Sequence, residues 1–504
     1  MIDYKGLHRR VLAGGMVRRV AVLATVLLMA GLQPVNAQMF DFFDTCSTGQ
    51  VLYYAINDDQ ATVTVTHPSY LNWGGYDKPV GELSIPPAVE YENVTYTVTA
   101  IDASTFATCN RLTSVIVPGT VVEIGDQAFV RCDSLEVFRM GNGVARLGSG
   151  FLARCPRLQY LSVGEGNSVY DSREGCNAII ETATNTLLVG SMNTVIPSSV
   201  RVVGEKAFEG NVLLQRVVVP DSVTEVGSRA FAGCTALESV VLPTALSTMG
   251  QQLFSGCVGL TTANLPETLT TVPVGTFEGC SALTSVAIPA SVTVIGDMAF
   301  CSCAALSQVT LPAGLLTVGD HAFSDCRSLR TVVVPDQVTT IGTDAFWNCE
   351  KLHYVKLGSS LRSIGRTAFS RCHRLAQVMS SNPEPPTMAE DSFFEVKDTI
   401  PIYIPYNTRM FYEAEWPYFS NFVEADVTAI EEVVTDGGVT VSVTAGVLML
   451  SGAEGKTVRL YDMAGRLLST VVSATTEQIL HVPAAGVYLL QVGTAPMRKV
   501  VVAR

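Results

Sequence analysis

Charged residues are scarce, since Asp, Glu, Lys and Arg together make up only 16% of 504 residues. With 48% hydrophobic residues the chain has far more to bury than a disordered tether would. What charge there is runs negative, at a formal net of −13, which excludes general nucleic-acid binding. Histidine is rarer still, at six residues, and His8 falls in the N-terminal leader. There is no His-Glu-x-x-His, no Gly-x-Ser-x-Gly, no phosphate loop and no calcium loop. His321, His353 and His373 have no evident nucleophile partner and are expected to face solvent. Neither an enzyme nor a cofactor site is therefore expected. Long apolar runs are also missing. Val20–Leu32 is too short to cross a bilayer. Arg18 and Arg19 before it, and Val35-Asn36-Ala37 after it, make residues 1–37 a predicted signal peptide, with Met16 as an alternative start. No cysteine follows closely enough to accept a lipid. The protein is expected to be exported, either secreted or held at the outer membrane or cell surface.

What the chain has is a period. Phe208, Phe231, Phe254, Phe277, Phe300, Phe323, Phe346 and Phe369 stand 23 residues apart. A fixed spacing of this size means one small unit, repeated and stacked. The unit from Leu283, LTSVAIPASVTVIGDMAFCSCAAL, shows the pattern well. Leu283, Val286 and Ile288 predict a short strand with inward side chains. Pro289 ends it, because proline cannot donate to a ladder. Gly296 is expected to turn a tight corner with positive φ. Ala299-Phe300 then opens a compact turn whose ring fills the centre. One unit buries too little apolar surface to offset the cost of ordering itself, so stacking is obligatory. Phe106 and Phe129 mark two earlier units, and Phe151 a looser copy with Cys155 one place late. Eleven rungs at about 4.8 Å each would extend roughly 50 Å.

A cysteine column follows the phenylalanines three residues later: Cys109, Cys132, Cys234, Cys257, Cys280, Cys303, Cys326, Cys349 and Cys372. A buried thiol ladder is the expected role, because Asn211 fills the same slot after Phe208 and free cysteine is among the most buried residue types. Disulfides between adjacent rungs remain open on distance alone. Thirteen is odd, so at least one thiol stays free. Metal binding is not expected.

The fold class is thus mainly β: a solenoid of period 23 with short turns or helical corners, then a small antiparallel β-sandwich. Residues 38–99 are expected to cap the solenoid, residues 100–380 to form it, and residues 381–427 to close its far end. A hairpin insert falls near 165–197, with Asn177-Ala-Ile-Ile-Glu and Thr186-Leu-Leu-Val-Gly as strands around Thr184-Asn185. Residues 428–504 lose the period and alternate strands with Gly-rich turns.

The Ala-Phe-x-x-Cys-x-x-Leu repeat resembles the BspA-like leucine-rich repeat family, and the insert resembles one found in Bacteroidetes members of that family. LYDMAGRLL, AAGVYLLQV and KVVVAR resemble the C-terminal sorting domain of type IX secretion. The second resemblance implies passage across the outer membrane through the type IX machinery, with the tail removed. Some members of the family are adhesins, and the repeat motif carries no catalytic residues.

Two candidate surfaces emerge from the pattern. The outward strand position reads Ile116, Arg139, Ser162, Val218, Val241, Asn264, Ala287, Thr310, Val333 and Lys356, a low-charge face suited to protein contact. The other is basic. Residues 351–380 contain no Asp or Glu but hold Lys351, His353, Tyr354, Lys356, Arg362, Arg366, Arg371 and Arg374. These residues are the candidate binding site for an anionic partner, or else they balance the acidic cap at Glu390, Asp391 and Glu395. The expected function is adhesion or recognition of host matrix proteins, surface proteins or glycans. A purely structural envelope role and nutrient capture are the alternatives.

Overall fold

The computed structural model describes residues 39–69, 73–425, 427 and most of 433–502, so the expected signal peptide lies outside the described residues. Two compact units divide the chain, one ending at Pro197 and one beginning at Ser198. Both are mainly β and both contain the repeat as solenoid coils.

A typical coil has two strands and one turn. In the coil from Leu283 the first strand is Ser285–Ala287, with Val286 buried between two exposed neighbours. The second strand is Val294–Ile295 and buries Ile295. Sequence pattern anticipates only the first strand, because two residues are too few to show an alternation. Both strands pair in parallel with residues 23 positions away, as in Thr262↔Ser285 and Val294↔Thr317. Equivalent positions of the repeat therefore stack on one another.

The phenylalanine turn forms a third ladder without being a strand. Met298, Phe300 and Ser302 donate their amides to Asp320, Ala322 and Ser324 of the next coil, at 2.8, 2.8 and 2.7 Å. Aiming these amides requires left-handed backbone at Met298 (φ 55) and Ser302 (φ 60). The same conformation recurs at Arg229, Gln252, His321 and Asp344 on one side of the ring, and at Gly233, Gly256 and Gly279 on the other.

The expected role of Gly296 is corrected here. Gly296 does not take positive φ, which falls instead on Met298 two residues later. Glycine is needed at 296 because a Cβ would sit 2.8 Å from the Val272 carbonyl oxygen of the neighbouring coil. Gly342 is tighter, with a Cβ position 2.6 Å from the Asp320 amide nitrogen.

In the first unit, Phe42–Thr45, Val51–Ile56 and Thr62–Thr66 form an antiparallel set. The last of these pairs in parallel with Val94–Ile101, which in turn pairs with the second-strand position Glu123–Ile124. Trp73 closes the interior over the Phe106 ring at 6.3 Å, and its indole N–H donates to the Thr105 carbonyl at 2.7 Å. The insert forms the expected hairpin, Ala178–Glu181 against Thr186–Gly190, with Asn185 left-handed in its turn.

In the second unit, rings from Phe208 to Phe369 stack at 5.1–5.7 Å. Phe393 continues the column at 5.0 Å, and Trp416 and Phe419 lie against it. A helix not evident from the sequence, Arg409–Glu415, brings buried Tyr412 and Trp416 into this cap. The Trp416 indole N–H donates to the Pro386 carbonyl at 2.9 Å.

Two of the three ladders are interrupted within this unit. Gly250 and Gly296 each donate to the second strand of the coil before, at 2.8 and 2.9 Å. Pro273 occupies the equivalent position and has no N–H, so the second-strand sheet ends at Thr248–Met249 and restarts at Thr271–Val272. The first-strand sheet ends at Ser285–Ala287 and restarts at Thr331–Val333, leaving residues 306–312 without a strand. Only the turn ladder runs through both breaks, for example from Phe254 to Thr276 and from Phe277 to Ala299.

Beyond the repeat, two four-stranded antiparallel sheets share a core that includes Val441, Leu448, Leu450, Val458, Leu460 and Leu490. The Leu-Tyr-Asp-x-x-Gly-Arg motif is a hairpin turn. Asp462 accepts the Ala464 and Arg466 amides at 3.0 and 2.8 Å, and Gly465 is left-handed.

Candidate functional site

Strand alternation places one row of side chains outward on the first strands. In the first unit Arg139 and Ser162 are exposed and Ile116 is half-buried. In the second, Val218 is 71% exposed and Val241 59%, unusually high for valine. Asn264, Ala287 and Thr310 are exposed, while Val333 and Lys356 are half-buried. Asn264 also bonds the Leu242 amide and carbonyl through its side chain, both at 3.0 Å.

The basic segment does not form one patch. His353 and Tyr354 are 3% and 2% exposed, which corrects the expectation that they face a partner. Tyr354 occupies an outward strand position, but Val427 lies over it and over Met379, so the chain leaving the last coil buries it. Arg366 pairs with Asp391 at 2.9 Å, and its hydrogen bond holds the Asp391 carboxyl below the usual range. Arg371 lies 3.6 Å from Glu395 and 5.3 Å from the Trp347 ring centre. His373 is 3.7 Å from the same glutamate. These three groups balance the acidic cap. Lys351, Arg362 and Arg374 are exposed, Lys356 is half-buried, and none of the four forms an ion pair among the described residues. Arg362 precedes the second strand, Ser363–Ile364, and Lys356 sits in the first, Tyr354–Leu357. Lys351 and Arg374 share one register position at the corner before the first strand, whereas half-buried Arg330 is in register with buried His353, whose amide donates to the Arg330 carbonyl at 2.9 Å.

The cysteine column lies inside, and all thirteen cysteines are thiols. Each ladder thiol from Cys132 onward donates to the phenylalanine carbonyl one coil back, as Cys257 does to Phe231 at 3.1 Å and Cys326 to Phe300 at 3.2 Å. That carbonyl also accepts the cysteine amide of its own coil, as Phe231 accepts from Cys234, so both lone pairs are used. Cys155, one place late in the sequence, joins the ladder and donates to Phe129 at 3.2 Å. Burial pushes the thiols of Cys257 and Cys372 up to about 12 and those of Cys234, Cys280, Cys303 and Cys349 well above the ordinary value. A thiol held this way is a poor nucleophile. Cys301 sits outside the ladder and is half-buried.

Among the described residues no group of three His, Cys, Asp or Glu side chains is placed to hold a metal ion, and no helix is long and apolar enough to cross a membrane.

The model for the BspA type leucine rich repeat region matches six copies, over residues 88–183, 191–307 and 293–414. No curated protein matches significantly. Among solved structures, a leucine rich cell surface protein from Faecalibacterium prausnitzii is 25% identical, with 68% of this chain and 95% of that chain covered and a TM-score of 0.45. A leucine-rich repeat protein from Bacteroides ovatus is 22% identical, with 74% and 98% covered and a TM-score of 0.45. One from Eubacterium ventriosum is 22% identical, with 60% and 93% covered and a TM-score of 0.43. The family model spans more than half of the residues and its copies coincide with the stacked coils, so this chain belongs to the BspA-type leucine-rich repeat family.

Proposed function

We propose that this is an exported, surface-displayed recognition protein that binds a protein partner through the outward row of its first strands and performs no chemistry. The observation that carries the reading is the exposure of Val218 and Val241, neighbours in parallel register, followed by uncharged Asn264 and Ala287. An uncharged row of this kind loses little on desolvation, while the rigid ladder beneath it removes most of the ordering cost of binding. Export rests on the sequence of residues 18–37, and use of type IX secretion on the tail motifs. Adhesion to host matrix or surface proteins is the form of recognition we favour over a structural envelope role. The test is a binding screen against matrix proteins and mucins, with Val218→Glu and Val241→Glu combined in one variant. Saturable binding that the variant abolishes without a change in melting temperature supports the reading. Binding that is unchanged in the variant refutes the site, and no saturable binding to any of these proteins favours the envelope role.

A further inference from the structure

The sheet that caps the first unit carries an aromatic cluster that the repeat does not explain. Phe43, on the edge strand Phe42–Thr45, is 62% exposed, and Tyr76 is 37% exposed. Between them lies buried Tyr53, whose ring centre is 6.1 Å from Phe43 and 5.5 Å from Tyr76. Half-buried Phe40 packs on Tyr53 at 4.7 Å and edge-on to Phe43 at 6.4 Å. The four rings form one surface, which rests on Trp73 through Tyr53 at 5.8 Å. Phe43 opposes Tyr53 across the strand pair, on the face away from Phe42, which is buried against Tyr54 and Tyr91. Clustered aromatic surface left open to solvent marks contact with a partner.

Charge around the cluster has one sign. Residues 39–110 hold nine acidic residues and one cation, Lys78, a net of −8 out of −13 for the whole chain. All nine carboxylates are exposed, and none forms an ion pair among the described residues, unlike Asp391 and Glu395 at the far cap. Three of the nine border the rings. Asp41 stands two residues before Phe43 and accepts the Ile56 amide at 2.7 Å. Asp44 follows Phe43 directly. Asp77 follows Tyr76, and burial, Tyr76 and Asp77 together raise the Tyr53 phenol above its ordinary value. Lys78 is engaged elsewhere, donating to the Thr108 carbonyl and hydroxyl at 3.0 and 2.8 Å.

We infer that this cluster binds an arginine-rich segment of another polypeptide, with guanidinium groups on the Phe43 and Tyr76 rings and the Asp41, Asp44 and Asp77 carboxylates around them. Ring faces and carboxylates attract the same sign of charge, so the two features call for one kind of partner. A guanidinium is planar and weakly hydrated, and it stacks on an aromatic face more readily than a lysine ammonium does. A neutral apolar partner would instead desolvate the bordering carboxylates without pairing them. This surface lies in the first unit and the Val218–Val241 row in the second, so failure here leaves that reading untouched.

The test uses the full chain with a short arginine-rich peptide and a glycine-serine peptide of the same length. The expected result is saturable binding of the arginine-rich peptide alone. Phe43→Leu combined with Tyr76→Leu keeps the charge and most of the apolar bulk. It should weaken binding about five- to thirtyfold, the worth of two exposed cation–π contacts. Asp44→Asn combined with Asp77→Asn should also weaken it and flatten its salt dependence, and these surface changes test the same site should the leucine pair unfold. Glu225→Gln combined with Glu267→Gln removes two exposed charges from the second unit and should leave binding intact. Unchanged affinity in a folded leucine pair would overturn the role of the rings. Equal loss in the Glu225 and Glu267 variant would reduce the effect to general charge attraction and overturn the site. Equal binding of the glycine-serine peptide would overturn the ligand class, and no binding of the arginine-rich peptide would overturn the proposal. Self-association without peptide, lost in the leucine pair, would assign the rings to a second copy of the chain and overturn it as well.

Discussion

Replacing Phe323 by alanine should open the solenoid in the middle of the second unit. Its ring is fully buried and stacks on Phe300 at 5.1 Å and Phe346 at 5.2 Å, nearly parallel to both. Truncating a buried phenylalanine costs about 3–5 kcal/mol, of which each lost ring contact accounts for about 0.5–1.5 kcal/mol. A stack of this kind behaves as a chain of nearest neighbours, so one lesion weakens two interfaces. The loss should appear as faster hydrogen exchange at Phe323 and Asp325, whose amides bond Ala345 and Trp347 of the next coil at 2.7 and 2.8 Å, and in a lower urea midpoint. Phe323→Leu keeps most of the volume but loses both ring contacts, and should cost about 1–3 kcal/mol. Phe394→Ala is the control, since that ring is 54% exposed and should change stability by no more than about 0.5 kcal/mol. A Phe323→Ala variant as stable as the Phe394→Ala control would refute the column as the source of cohesion. A leucine variant as damaged as alanine would show that ring stacking, and not burial, dominates.

Other outcomes follow from the same geometry. Gly342→Ala should cost upward of about 2 kcal/mol by calorimetry, because the new methyl meets backbone of the coil before. Gly314→Ala, whose nearest atom is 3.8 Å away, should be neutral or slightly stabilising. Met298→Gly should gain up to about 1 kcal/mol by relieving left-handed backbone, less the added freedom of the unfolded chain. Stability should fall as pH rises from about 9 to about 12, since unfolded thiols ionise near 9 while folded Cys257 and Cys372 hold their protons to about 12. Urea midpoints across that window check the sign, and a flat profile would contradict it. Amides at 270–272 and 309–310 should exchange roughly tenfold faster than those of Thr317–Val318 and Thr340–Ile341, which keep their ladder partners.

The interior was legible because a strict period makes each interior position a repeated observation. Phenylalanine, cysteine and the paired aliphatic positions recur often enough for their burial to be inferred without coordinates. The second strand was not legible, because Val294–Ile295 offers no alternation to detect. Gly296 is required by the close approach of the neighbouring coil and not by its own φ. From sequence, a glycine needed for close approach looks the same as one needed for positive φ, and only the neighbouring coil separates the two cases.

The surface is harder for a different reason. Strand alternation predicts which way a side chain points, and for Val218 and Val241 pointing outward also means exposure. For Tyr354 it does not, because Val427 lies on the same face. The same limit applies to charge. Arg366, Arg371, Lys351 and Arg374 are equivalent in a count of cations, yet the first two meet Asp391 and Glu395 and the others meet no carboxylate among the described residues. Asp391 and Glu395 belong to the cap, where the period has already drifted, so register could not bring them opposite their partners on paper. Wherever the repeat ends and the chain folds back on its own coils, direction and availability become separate questions. Candidate binding residues are therefore best sought on the coils before that point, where Val218, Val241, Asn264 and Ala287 stand on uninterrupted first strands.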